Sequence, residues 1–201
     1  MNQIALPLDW VSASGANDFI LSDANRDAVR QIEHFALWPV RACMLVGPPK
    51  SGRSHLARLF QTWSSGIVVD DAEAVDETTL FHAWNAAQET RKPLLIVASA
   101  PPPRWPITLP DLASRLSATP VAVIGMPDEA LLGAVMEKQL RDRNLDAAPE
   151  VVAYVIGRIE RSFEGVASAV AGLDCAALSA HRRLTVPLAR QVLMEQGVIQ
   201  G

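Results

Sequence analysis

Residues 42–54 read Ala42-Cys43-Met44-Leu45-Val46-Gly47-Pro48-Pro49-Lys50-Ser51-Gly52-Arg53-Ser54. The apolar run Ala42–Val46 has the length of a buried strand, and the apolar spacing from about Gly52 to Trp63 is helical. A Gly/Pro/Ser loop joins them. Strand, loop and helix in that order are the setting in which G-x-x-x-x-G-K-[ST] holds phosphate, and here arginine takes the place of lysine. The glycines let main-chain N–H groups face an anion, and the helix N-terminus adds roughly half a positive charge. Gly47, Pro48, Pro49, Lys50, Ser51, Gly52, Arg53 and Ser54, with His55 behind them, are therefore candidate nucleotide-binding residues. The Ser54 hydroxyl is the candidate Mg²⁺ ligand. Arg53 is a planar fork where lysine is a point charge, so the exchange bears on hydrolysis more than on diphosphate binding. The plainer alternative is a turn linking a strand to a helix.

Outward from this loop, strands and helices alternate. A helix is expected over Asp23–Phe35 with Ser22 as its cap. Further strands are expected at Gly66–Val69, Leu94–Ser99 and Val121–Ile124, and helices at Glu77–Glu89 and Asp111–Leu116. Pro101, Pro102 and Pro103 mark a loop. After Pro127 only helical patterns remain, at Asp128–Arg143, Pro149–Arg161, Phe163–His181 and Pro187–Met194. Alternation implies a parallel sheet covered by helices, and the remainder implies a small helical domain on it. The strand Gly66–Val69 delivers Asp70 and Asp71 to its C-terminal end. Beside a phosphate loop, Asp70 is a candidate holder of the Mg²⁺ water shell and Asp71 a candidate for orienting water. Alone, the pair reads as an acidic turn. Only 15 residues separate Ser54 from Asp70. Either a strand–helix unit common in such folds is missing, or the metal-binding strand is degenerate. Ser99 is the next polar strand end and a candidate γ-phosphate contact.

The 201 residues carry 18 Lys+Arg against 22 Asp+Glu, a net charge of −4. The pI is about 5.5. Neither half is basic, with 8 cations against 11 anions in residues 1–100 and 10 against 11 in 101–201. A broad grip on nucleic acid is therefore not expected. No apolar run reaches the roughly 20 residues of a membrane-spanning helix, and Met1–Trp10 has no signal-peptide pattern, so a cytoplasmic location with no membrane contact is expected. Cys43 and Cys175 lack metal spacing. The tryptophans read as core or loop anchors in the absence of a basic groove.

Four segments together resemble a known family. They are Phe19-Ile20-Leu21 with Asn25, Gly47–Leu56 (GPPKSGRSHL), Leu109–Leu116 (LPDLASRL) and Arg183-Leu184-Thr185-Val186-Pro187. They are similar to the DnaA-related AAA+ family, and most of all to short homologues that inactivate the replication initiator DnaA. The resemblance implies a P-loop AAA+ core with a parallel sheet over residues 13–126 and an all-helical lid over 127–201. It implies ADP or ATP with Mg²⁺ as cofactor, with Phe19 and Asn25 on the adenine side and Arg161 offered from the lid toward the phosphates. It makes Arg115 an arginine finger acting on a neighbour's nucleotide. Residues 1–12 become a tail. Within it, Gln3-Ile4-Ala5-Leu6-Pro7-Leu8 resembles the hexapeptide by which such homologues bind the DNA polymerase sliding clamp. Pro7 keeps Leu6 extended, so Leu6 and Leu8 suit an apolar groove and the Gln3 amide its edge.

The implied partners are the clamp and DnaA, with self-association left open. The sequence ends at Gly201, so the DNA-binding domain that follows the lid in DnaA is not expected. The implied function is negative regulation of replication initiation by an ADP-bound protein with little turnover of its own. Two rivals stand beside it: a stand-alone P-loop ATPase that loads or remodels another replication protein, and a P-loop kinase of small substrates. The strands-then-helices layout disfavours the kinase.

Overall fold

The computed structural model describes residues 19–180 and 183–199. Four parallel strands, β1 (Ala42–Val46), β2 (Ile67–Val69), β3 (Leu94–Ala98) and β4 (Val121–Val123), lie in the order β2-β3-β1-β4. Every residue of β1 and β3 is buried, as continuous apolar runs inside a covered sheet must be. Their C-terminal ends are level, with Val46 opposite Ala98. Helix α1 (Arg26–Glu33) precedes β1, and α2 (Arg53–Ser64), α3 (Glu77–Thr90) and α4 (Pro110–Ser117) run between the strands. The lid follows as α5 (Glu129–Arg141), α6 (Pro149–Ile156), α7 (Phe163–Ala180) and α8 (Val186–Glu195).

Each face of the sheet has its own apolar layer. Ile32, Leu56 and Phe60 pack on one side, while Leu80, Leu112 and Leu116 pack on the other. A third cluster, including Leu132, Met136, Val155, Val166 and Leu193, is the core of the lid. Phe19 leans on the sheet-side layer, whereas Ile20 and Ala24 pack against the lid cluster. The segment 19–25 is thus a strap between the two. Among the described residues, no helix is long and apolar enough to cross a membrane.

The strand order bears on the short interval after Ser54. β2 sits at the sheet edge, one place removed from β1, and α2 leads directly into it. Among the described residues, no further strand–helix unit lies between Ser54 and Asp70.

Three expected boundaries move. Ser22 is not the cap of α1: the helix starts at Arg26, and the Asn25 side chain is drawn backward. Its Oδ1 accepts the Ser22 N–H at 2.9 Å and its Nδ2 donates to the Ile20 carbonyl at 2.8 Å. Asp23 and Ala24 are held in the resulting turn. At the other end of α1, Phe35 begins a separate 3₁₀ turn, Phe35–Leu37. Helix α6 stops at Ile156 rather than Arg161, with Gly157 at its end. By contrast, Asp76 and Asp128 cap α3 and α5 by accepting the Thr79 and Leu131 N–H groups at 2.9 and 2.7 Å.

Candidate functional site

The phosphate-loop residues lie where β1 ends and α2 begins. Gly52 has φ +88°, a left-handed conformation that glycine adopts without a Cβ penalty. It is the N-cap of α2 and supplies no side-chain cap, so the first-turn N–H groups remain available. A Cβ on Gly47 would lie 2.8 Å from the Ile124 Cβ and 3.2 Å from the Ser51 Oγ. Ser51 is 6% exposed, and its hydroxyl has no hydrogen-bond partner. A buried hydroxyl without a partner inside a glycine-walled loop is what an anion-holding loop presents before its ligand arrives. The loop therefore fits a nucleotide diphosphate.

Next to it is a cavity of about 190 Å³ between loop and lid. The strap contributes Phe19, Ile20 and Asn25, the loop Lys50, Ser51 and Gly52, and α2 contributes His55. The lid closes it with Leu131, Val135, Lys138, Gln139, Asp142 and Phe163. The Phe19 ring stands 5.9 Å from the His55 ring and directly over Gly52. The lining combines apolar side chains such as Phe19, Leu131 and Phe163 with polar ones such as Lys50 and Ser51, which suits a flat base carrying a charged tail. A larger hollow of about 870 Å³ lies elsewhere in the lid, beside residues 144–148 and Leu178, away from any loop glycine.

At the sheet's C-terminal end, several polar groups are already engaged. Arg53 donates from Nη1 to the Ala98 carbonyl. The next residue, Ser99, donates both its N–H and its hydroxyl to Glu73 Oε1. Partial burial of Glu73 favours its neutral form. The donors from Ser99, with the main chain of Glu73 and Ala100, outweigh that and hold the carboxyl below its ordinary range. Asp70 and Asp71 are exposed, and Asp70 Oδ1 accepts the Asp71 N–H at 3.0 Å.

Helix α4 carries Arg115. Its guanidinium carbon is 4.7 Å from the centre of the Phe81 ring and 4.8 Å from that of Trp84, both on α3. Stacking uses the faces of the guanidinium and leaves its N–H edge for an acceptor. The start of α4 is tied to α3 as well. Glu77 accepts the Thr108 N–H at 2.9 Å, the Thr108 hydroxyl at 3.0 Å and the Leu109 N–H at 2.6 Å. The main-chain donors of Thr108 and then Leu109 hold its carboxyl below the ordinary range.

Residues 128–193 match the Hda lid-domain family. The fold resembles domain III of the Thermotoga maritima replication initiation protein DnaA, with a TM-score of 0.77 at 16% identity over 89% of this chain and 95% of that one. The fold is thus like that of DnaA domain III, and its helical C-terminal part is similar to the Hda lid. AMPPCP-bound DnaA from Aquifex aeolicus is also similar, with a TM-score of 0.66 at 14% identity over 90% of this chain and 69% of that one. The Thermotoga maritima RuvB Holliday junction branch migration motor follows, with a TM-score of 0.60 at 10% identity over 84% of this chain and 65% of that one.

Besides Asp70, Asp71 and Arg115, placed above, the expected residues within the described ones divide into three groups. Phe19, Asn25, Lys50, Ser51, Gly52 and His55 meet at the cavity, although both amide atoms of Asn25 are used within the strap. Gly47, Pro48, Pro49, Arg53 and Ser54 belong to the loop outside the cavity wall. Ser99 and Arg161 are held elsewhere, Ser99 by Glu73 and Arg161 by a 3.5 Å ion pair with Glu129 at the start of α5. Gln3, Leu6 and Leu8 lie outside the described residues. Sequence reasoning missed Glu73, which stands in the acidic run Asp70-Asp71-Ala72-Glu73, and Glu77. It also missed Phe81 and Trp84 as the seat of Arg115.

Proposed function

We propose that this protein switches off replication initiation by stimulating hydrolysis of ATP held by DnaA. It docks on the sliding clamp through Gln3, Leu6 and Leu8. It keeps ADP in the loop Gly47–Ser54, and it offers the Arg115 guanidinium to the nucleotide of the bound DnaA. A guanidinium supplied in trans stabilises charge developing on a transferred phosphoryl group. The observation that carries this reading is the Hda lid at residues 128–193 on a DnaA-type core.

The loop supports the nucleotide half of the reading through the unpartnered Ser51 hydroxyl and the open N-terminus of α2. Bound ADP supplies negative charge and a base that join loop to lid. Ser54 and Asp70 are the residues that would hold an accompanying Mg²⁺, and Asp71 would face water beside it. Arg53 and Ser99 are both engaged within the chain, by Ala98 and Glu73. Groups tied to the protein are less free to follow a γ-phosphate, which favours a holder of ADP over a hydrolysing enzyme. Helix α4 supports the other half: among the described residues no acceptor takes an Arg115 side-chain N–H, while both ring contacts hold its faces.

The test is DnaA-ATP hydrolysis with clamp loaded on DNA. The wild-type protein accelerates it, and Arg115→Ala removes most of the acceleration, since such fingers contribute on the order of 10³–10⁵ in rate. Unchanged acceleration by Arg115→Ala rejects the finger. Deletion of residues 3–8 abolishes clamp capture, and retained capture rejects the tail. Steady-state ATP turnover by the isolated protein, lost in Asp70→Asn, would favour an ATPase in its own right.

A further inference from the structure

Helix α4 begins without a cap of its own. Leu109 precedes it and supplies no side-chain acceptor, and Pro110 opens it. A helix of eight residues is too short to hold itself in water. What fixes it must come from elsewhere in the fold. Leu112 and Leu116 anchor one side in the core. Apolar contacts of this kind are non-directional, so they secure depth better than register. Directional bonds to α3 are found at both ends: past the C-terminus the Thr119 hydroxyl accepts the Trp84 indole N–H, and at the N-terminal lead-in one carboxylate gathers three donors from two consecutive residues.

That carboxylate belongs to Glu77, the first residue of α3, and the same helix carries Phe81 one turn further on. The Arg115 guanidinium rests on Phe81 and Trp84. Glu77 and the aromatic seat therefore stand on one rigid helix. The first holds the start of α4 and the second receives the side chain from its last turn. Resting on the reading of Arg115 given above, we infer that Glu77 is a positioning residue for that guanidinium: it fixes the register of α4 against α3 through Thr108 and Leu109.

The assignment separates Glu77 from an ordinary cap. Asp76 is the cap of α3 and has its own bonds to Thr79. Replacing Glu77 leaves that cap, the nucleotide loop and the apolar layer in place. Its bonds cross 31 and 32 residues of sequence to reach the other helix. A carboxylate has two acceptor oxygens and no donor. Glutamine keeps one acceptor oxygen and puts an N–H₂ in place of the other, facing Thr108, so Glu77→Gln preserves shape and weakens the match, while Glu77→Ala removes it.

The test uses the full-length protein with Glu77→Gln, Glu77→Ala, Arg115→Ala and the Glu77→Ala/Arg115→Ala pair. Amide exchange across residues 108–117 is read beside ADP affinity and DnaA-ATP hydrolysis with loaded clamp. Expected is exchange at Thr108 and Leu109 faster by about tenfold or more as the local bond is lost. ADP affinity stays within about twofold, because the loop is untouched. Stimulated hydrolysis falls about ten- to a hundred-fold, the loss that follows from misplacing a reacting group by about an ångström. Adding Glu77→Ala to Arg115→Ala costs nothing more. Four results overturn the inference: unchanged exchange, unchanged stimulation while Arg115→Ala abolishes it, losses that add in the double variant, or loss only in step with ADP binding. If Arg115→Ala itself has no effect, the proposed function fails first, and the exchange measurement still decides whether Glu77 holds α4.

Discussion

Thr119 lies just past the end of α4 and is 4% exposed. Its hydroxyl accepts the indole N–H of Trp84 at 3.1 Å and donates to the Arg115 carbonyl at 2.9 Å. Thr119→Val keeps the shape and removes both bonds. The Trp84 side chain is then left with a buried N–H and no acceptor, which costs about 1–3 kcal/mol, and the lost bond to Arg115 costs about 0.5–1.5 kcal/mol more. The new methyl group returns about 0.8 kcal/mol. The net loss centres on about 2 kcal/mol, and at about 2–4 °C per kcal/mol for a chain of this size the melting temperature falls by about 4–8 °C. The assay is thermal or urea unfolding followed by tryptophan fluorescence, with Thr119→Ser as the control that keeps the hydroxyl. A Trp84→Phe background removes the donor, so Thr119→Val should cost less there than in the wild type. A Thr119→Val protein as stable as the wild type, or an equal cost in both backgrounds, refutes the reasoning.

Further outcomes follow from other parts of the molecule. Gly52→Ala places a Cβ at φ +88° and 2.9 Å from the Phe19 ring; it should lose ADP binding by calorimetry and about 1–2 kcal/mol of stability in urea. Glu73 and Glu77 both hold their carboxyls below the ordinary 4.5. Lowered folded values mean that the stability they contribute is complete above about pH 4.5 and is lost as pH falls through the folded values. Stability against pH should therefore decline on the acid side, and Glu73→Gln or Glu77→Gln should flatten that decline. Burial pushes the Cys43 thiol up to about 12. At pH 8, alkylation followed by mass spectrometry should find Cys175 labelled in the native protein and Cys43 only after unfolding.

Most of the architecture was legible because it rests on local patterns. The runs Ala42–Val46 and Leu94–Ala98 read as buried strands at once, and apolar spacing located every α-helix among the described residues. Boundaries slipped where a local pattern met a tertiary bond or a glycine. Asp23 and Ala24 have helical spacing, yet the Asn25 side chain pulls them into a turn. Ile159 continues the apolar period of α6 past Gly157, where the helix has already ended. The candidate loop was legible for the same reason: Gly47–Ser54 is contiguous. Its supports were not. Glu77 meets Thr108 and Leu109, and Trp84 meets Arg115 and Thr119, each across about thirty residues or more, so no spacing rule could pair them. The engagement of Ser99 by Glu73 likewise joins the ends of two strands that are neighbours only in space. The sequence also left the Ser54–Asp70 interval open, and the structure fills it with α2 and β2 alone.

Nucleotide-dependent action of this protein requires the loop between β1 and α2 to hold a nucleotide diphosphate. Thermal unfolding with and without ADP measures this most directly. At an ADP concentration near one hundred times its Kd, binding contributes about 2.7 kcal/mol, a rise of about 5–11 °C for a chain of this length. That rise should vanish in Gly52→Ala. A melting temperature that neither ADP nor ATP alters would contradict the account.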